Sequence, residues 1–142
     1  MVKHCITALF LFLAACRHTP SLLVFNNMES AKRNAAASHT RIFAIFDLWG
    51  SSTPYVDRIL EDADIRSALG AYTVVRLRCD DRTRLNDTLT LGTWNADFQI
   101  RLTGASYQPM FCVLDAQGNL LKSPLHYAKP EILLRYISAN AQ

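Results

Sequence analysis

The chain has 142 residues, half of them apolar and 19% charged, which is enough for one domain with a true hydrophobic core. A net charge of +3 without any run of like charges argues against nucleic acid as a partner. No stretch reaches the roughly 18 apolar residues of a transmembrane helix, and no repeat or low-complexity tract is present.

Residues 1–15 read as an export signal, with Lys3 and His4 ahead of an apolar run that ends in Leu13-Ala14-Ala15-Cys16. That ending resembles the lipobox of bacterial lipoproteins, in which a peptidase cuts before the cysteine and lipid is added to it. The resemblance implies a signal peptide over 1–15 and a lipid anchor on Cys16. The mature chain is then expected in the bacterial cell envelope, on its periplasmic face. An ordinary cleavable signal that happens to contain a cysteine is the alternative. Residues 17–20 make a polar spacer that reaches about 14 Å at most, so a domain over 21–142 would sit close to the membrane.

The mature part shows an apolar strand candidate at 22–25, an Ala-rich helix at Met28–Ser38 and a nearly continuous apolar strand at Arg41–Asp47. Such a run is expected of a central strand covered on both faces. Thr53 as N-cap and Pro54 at the first helical position open a helix predicted over 53–69, closed by Gly70. A strand follows at 72–79. A helix at 93–102 places Trp94, Phe98 and Leu102 on one face. A hairpin pairs 109–115 with 119–122 around Ala116-Gln117-Gly118, and a helix over 129–139 closes the chain. This alternation predicts an α/β fold, a mixed central sheet flanked by helices.

The order, together with particular residues, resembles the thioredoxin-like superfamily. Phe46-Asp47-Leu48-Trp49 resembles the strand end that precedes the thioredoxin active site. Asp80-Asp81-Arg82-Thr83, Leu91-Gly92-Thr93-Trp94, Asp97-Phe98-Gln99 and Gln108-Pro109 through Asp115 resemble one branch. That branch holds the C-terminal thioredoxin domain of the bacterial thiol:disulfide interchange reductase. The likeness implies a thioredoxin fold over nearly the whole mature chain, and a cis bond before Pro109 at the edge of a binding groove.

Laid on the family pattern, the Cys-x-x-Cys positions fall on Thr53-Pro54-Tyr55-Val56. The four cysteines (Cys5, Cys16, Cys79, Cys112) include no C-x-x-C pair anywhere, and the four histidines no H-x-x-x-H pair. Neither a zinc site nor a local dithiol is encoded, and no metal or cofactor is expected. A threonine hydroxyl is not ionised at neutral pH, and a valine cannot resolve a mixed disulfide. The domain is therefore expected to be redox-inactive and not an enzyme.

The groove predicted from the resemblance has Trp49, Thr53, Pro54, Tyr55 and Val56 on one rim and Gln108 and Pro109 on the other. Two readings stand for Trp49, a contact surface or partial core packing. Asp47, which matches a buried proton-transfer aspartate of the family, reads as a structural carboxylate once Val56 replaces the cysteine. Cys79 and Cys112 lie two strand spacings apart, about 9.5 Å, too far for a disulfide. Cys112 reads as an inert core residue. Cys79 is the remaining candidate thiol, flanked by Arg76, Arg78 and Arg82. Those arginines read as a solvated face, as cations that lower the thiol's pKa, or as contacts to anionic lipid.

Three functions follow, in order of preference. The first is a membrane-anchored module that binds an envelope protein or peptide without chemistry. A purely structural envelope component and an oxidoreductase-type enzyme using the single thiol of Cys79 are the alternatives.

Overall fold

The computed structural model describes residues 21–139, so the predicted signal peptide and Cys16 lie outside it. The elements run β1 (Val24–Phe25), α1 (Met28–Ser38), β2 (Arg41–Asp47), α2 (Thr53–Glu61), α3 (Ala63–Leu69), β3 (Tyr72–Arg78), α4 (Leu91–Thr103), β4 (Met110–Leu114), β5 (Leu125–His126) and α5 (Pro130–Ser138). The strands form one sheet in the order β1-β3-β2-β4-β5. β1 and β2 run parallel to β3, while β4 runs antiparallel to β2 and to β5.

β2 sits at the centre because its apolar residues serve both faces. Phe43 and Ile45 join one core cluster with Ile65, Leu69, Phe111, Leu133 and Ile137 from α3, β4 and α5. Ile42, Ala44 and Phe46 join the other, with Met28, Ala31 and Ala35 of α1. Strand side chains alternate in direction, so an unbroken apolar run feeds two layers at once. α1 starts where the Asn27 side chain accepts the Ser30 N–H at 2.9 Å, and its alanines let it lie close to the sheet.

The structure changes several expectations. The single helix over 53–69 is two helices, broken at Asp62, whose backbone is extended (φ −63°, ψ 126°). Its carboxylate takes the N–H groups of Asp64 and Ile65, both at 3.0 Å, and so caps α3 instead of continuing α2. The N-cap of α2 is Ser52 rather than Thr53, and the Ser52 hydroxyl is occupied instead by the Leu48 N–H at 2.8 Å. The strand predicted at 119–122 shrinks to a single bridge, Leu114 with Leu120. Pairing resumes at Leu125–His126, because the intervening stretch contains Pro124, which has no N–H to give a ladder.

α4 begins two residues earlier than predicted, capped by Thr90. Trp94, Phe98 and Leu102 pack against the core, but the residues fully buried beneath the helix are Gly92, Asn95 and Gln99. β2 lies between β3, which Cys79 directly follows, and β4, which bears Cys112, and both thiols are free. Cys112 is fully buried in the core, as expected.

Candidate functional site

The C-terminal ends of β2 and β3, the first turn of α2, the start of β4 and the end of β5 meet at one edge of the sheet. The Gln108–Pro109 peptide bond there is cis, as expected.

Asp47, the last residue of β2, is completely buried. Its Oδ2 accepts from Arg76 Nε at 2.8 Å, and Arg76 Nη1 donates to Asp57 of α2 at 2.6 Å. Burial disfavours the guanidinium's charge, but the two carboxylates more than offset this, so the pKa of Arg76 is raised. The other carboxylate oxygen of Asp47 has no hydrogen-bond partner among the described residues.

Thr53 stands at the first turn of α2, where the resemblance places a nucleophilic thiol. Its hydroxyl donates to the Leu48 carbonyl at 3.0 Å and accepts from Arg78 Nη1 at 3.1 Å and Arg76 Nη2 at 3.5 Å. The Arg78 guanidinium in turn lies 3.3 Å from the centre of the Trp49 ring. Both carboxylate oxygens of Asp80 accept the Trp49 N–H at 3.0 Å, which fixes that residue on the surface, 58% exposed. Trp49, Arg76 and Arg78 border a depression of about 250 Å³ against Val24, Phe25 and Asp81.

Arg76 and Arg78 are thus neither a solvated face nor neighbours of the thiol, whereas Arg82 is exposed, as the solvated-face reading has it. Period-2 alternation sends Arg76 and Arg78 to the α2 side, while Leu77 and Cys79 pack on the other side among the α1 and α4 residues. Cys79 Sγ lies 3.4 Å from Gln99 Oε1. Burial pushes its pKa up to about 11, and Asp47 and Asp80 push the same way, against a hydrogen bond from Gln108. A thiol in that state is a poor nucleophile.

The predicted rims are only partly surface. Val56 is fully buried in the core cluster of Phe43 and Phe111, so it lines no groove. Pro109 is buried, and the Gln108 side chain turns inward to Gln99 Oε1 at 2.8 Å. Gln99 Nε2 donates to the Tyr107 carbonyl at 2.7 Å, so one buried amide ties α4 to the chain before Pro109. Pro54 is exposed, and Tyr55 is half-buried.

Sequence reasoning missed a row of aromatic rings on this edge. Tyr55 stacks on Tyr127 at 4.7 Å, Tyr127 lies 6.5 Å from His126, and His126 lies 5.2 Å from Tyr107. Tyr107 and Tyr127 are 64% and 63% exposed. The Tyr55 hydroxyl donates to the Ala128 carbonyl. The residues come from three distant segments, and only the antiparallel pairing of Met110 with His126 brings two of them together.

No protein-family model matches this chain, and no curated protein sequence does. Solved structures do match in fold. A DsbH oxidoreductase superposes with a TM-score of 0.62 at 11% identity, covering 98% of this chain and 96% of its own. A thioredoxin from Thermus thermophilus gives 0.59 at 18% identity, over 86% of this chain and 91% of its own. Thioredoxin O2 from Arabidopsis thaliana, in its oxidized state, gives 0.55 at 12% identity, over 84% and 94%. The chain has a thioredoxin-like fold.

Proposed function

We propose that this chain is a lipid-anchored envelope protein whose thioredoxin-like domain binds a protein or peptide and performs no thiol–disulfide exchange. The observation that carries this reading is the Thr53 hydroxyl. At the start of α2 it is bonded to two guanidinium groups and a backbone carbonyl, with no thiol within its helix. Support for binding comes from the same edge, where Trp49, Tyr107 and Tyr127 stay exposed although large aromatic side chains favour burial. Anchoring rests on the lipobox-like ending at Cys16 and the short spacer after it. Enzymatic use of Cys79 loses support, since Arg76 and Arg78 point away from the thiol and burial raises its pKa.

Three measurements test the reading. A photo-crosslinking residue in place of Tyr55, in intact cells, should yield a discrete protein adduct that Trp49→Ala weakens. Absence of any adduct, with no effect of Trp49→Ala, overturns the binding role. The purified chain should not accelerate insulin reduction by dithiothreitol; acceleration overturns the redox-inactive assignment. Labelled palmitate should be incorporated into the parent and not into Cys16→Ser.

A further inference from the structure

Resting on the lipid-anchor reading above, we infer that the end of the sheet where β1, β2 and β3 begin lies against the phospholipid headgroup layer, so that the edge bearing Trp49, Thr53 and Tyr107 faces away from the bilayer. Strand direction carries the first step. β1, β2 and β3 are parallel, so all three begin at one end of the sheet and finish at the other. Asp47 and Arg78 pair at the finishing end, and the pairing of Phe46 with Met110 puts the start of β4 there too. Ser21 stands at the opposite end, where it borders a depression of about 260 Å³ with Gly70, Tyr72 and Thr73.

Two lengths then decide which end meets the membrane. Val24 pairs with Val74, so Ser21 stands level with Ala71, and Arg78 lies about 23 Å further along β3. From Cys16 to Ser21, flanking links included, the chain reaches about 18 Å at most. The tether is therefore too short for the domain to stand inverted, with Trp49 and Tyr107 on the bilayer. It brings the starting end of the strands down onto the headgroups instead.

The surface at that end suits this occupant. Leu23 is 67% exposed beside Ser21, and Leu121, 47% exposed, borders a second depression of about 520 Å³ with His39 and Arg41. Arg66 borders the first depression. Among the described residues Asp115 is the one carboxylate that borders either, and its oxygens already accept the N–H groups of Gln117 and Asn119 and the Asn119 side-chain amide at 2.8–2.9 Å. Guanidinium groups at such a surface complement lipid phosphates, and exposed leucines bury against the acyl boundary.

The test places the lipidated chain, purified from membranes, in bicelles of phosphatidylethanolamine and phosphatidylglycerol that carry a trace of gadolinium-chelating lipid, and reads amide signal loss residue by residue. Leu23, His39 and Leu121 are expected to lose their signals, while Trp49, Tyr107 and Tyr127 keep theirs. Leu23→Glu/Leu121→Glu keeps the anchor and should return the His39 signal. Equal loss at Trp49 and His39, or loss at Trp49 alone, overturns the inference and leaves the anchor standing. A double variant with the parent's pattern overturns it too, since the tether alone would then set the geometry. Protein that stays off the bicelles and carries no lipid on Cys16 overturns the anchor reading and this inference together, a result that no other arm produces.

Discussion

The guanidinium of Arg76 donates to the buried carboxylate of Asp47 at 2.8 Å, and this pair organises the edge where the sheet meets α2. The two partners do not depend on each other equally. Asp47 is wholly buried, and its carboxylate receives charge from Arg76, whereas Arg76 has Asp57 as a second partner, whose side chain is 50% exposed. Arg76→Met strands a buried anion and should cost about 3–5 kcal/mol. Asp47→Leu leaves the cation paired and should cost less. Asp57→Asn should cost under about 1 kcal/mol, as exposed pairs do. The double variant Asp47→Leu/Arg76→Met should recover much of the single-variant loss. Urea unfolding of the four variants gives the order, and equal losses from Arg76→Met and Asp57→Asn would remove Asp47 from this role.

The two guanidiniums on Thr53 make a second prediction. In Thr53→Cys the new thiol would stand at a helix N-terminus beside Arg76 and Arg78, a setting that stabilises a thiolate. Its pKa should fall below the ordinary value near 8.5. Alkylation rates measured against pH should therefore show fast labelling near neutrality, absent from the parent. A rate that rises only in alkaline solution would mean that the arginines do not govern this position.

Gly92 is required by contact rather than by backbone conformation. A Cβ there would lie 2.4 Å from the Asp81 nitrogen and 2.7 Å from its oxygen, and both are main-chain atoms that cannot swing aside. Alanine normally gains about 1 kcal/mol over glycine inside a helix. The clash should reverse that sign and give a net loss of about 1–3 kcal/mol for Gly92→Ala. Because Asp80 holds the Trp49 N–H, the Trp49 amide resonance should shift as well. A stabilised variant with an unmoved Trp49 would refute the account.

Much of the fold was legible because it rests on local signals. The apolar run of β2, the cis bond before Pro109 and the separation of Cys79 from Cys112 all follow from composition, resemblance and strand spacing. Arg76 and Arg78 were misread for an instructive reason. Arg78 and Cys79 are adjacent in sequence, but alternation along β3 sends them to opposite faces, so nearness in the chain meant separation in space. The break at Asp62 was readable in principle, since aspartate is a strong N-cap; the apolar periodicity on both sides concealed it. The aromatic row had no local signal. Tyr55, Tyr107 and Tyr127 meet only through tertiary packing, and a shift of β5 from its predicted position moved His126 and Tyr127 onto the edge.

The two free thiols predict an alkaline weakness with a defined sign. Burial pushes Cys112 up to about 12 and Cys79 up to about 11, whereas in the unfolded chain both should ionise near 8.5. Above that value the unfolded chain releases protons that the fold retains, so stability is full below about pH 8.5 and falls as pH rises toward 11 and 12. For the fully buried Cys112 the slope is about 1.4 kcal/mol per pH unit in that window. Tyr136, raised by burial and by the neighbouring Cys112, should add to the fall. Cys112→Val keeps the site apolar and close in volume, and should flatten the alkaline limb without changing stability at pH 7 by more than about 1.5 kcal/mol. Urea midpoints between pH 7 and pH 11 provide the measurement. A parallel fall in parent and variant would show that the Cys112 thiol does not carry the effect and leave Cys79 and the tyrosines as its source.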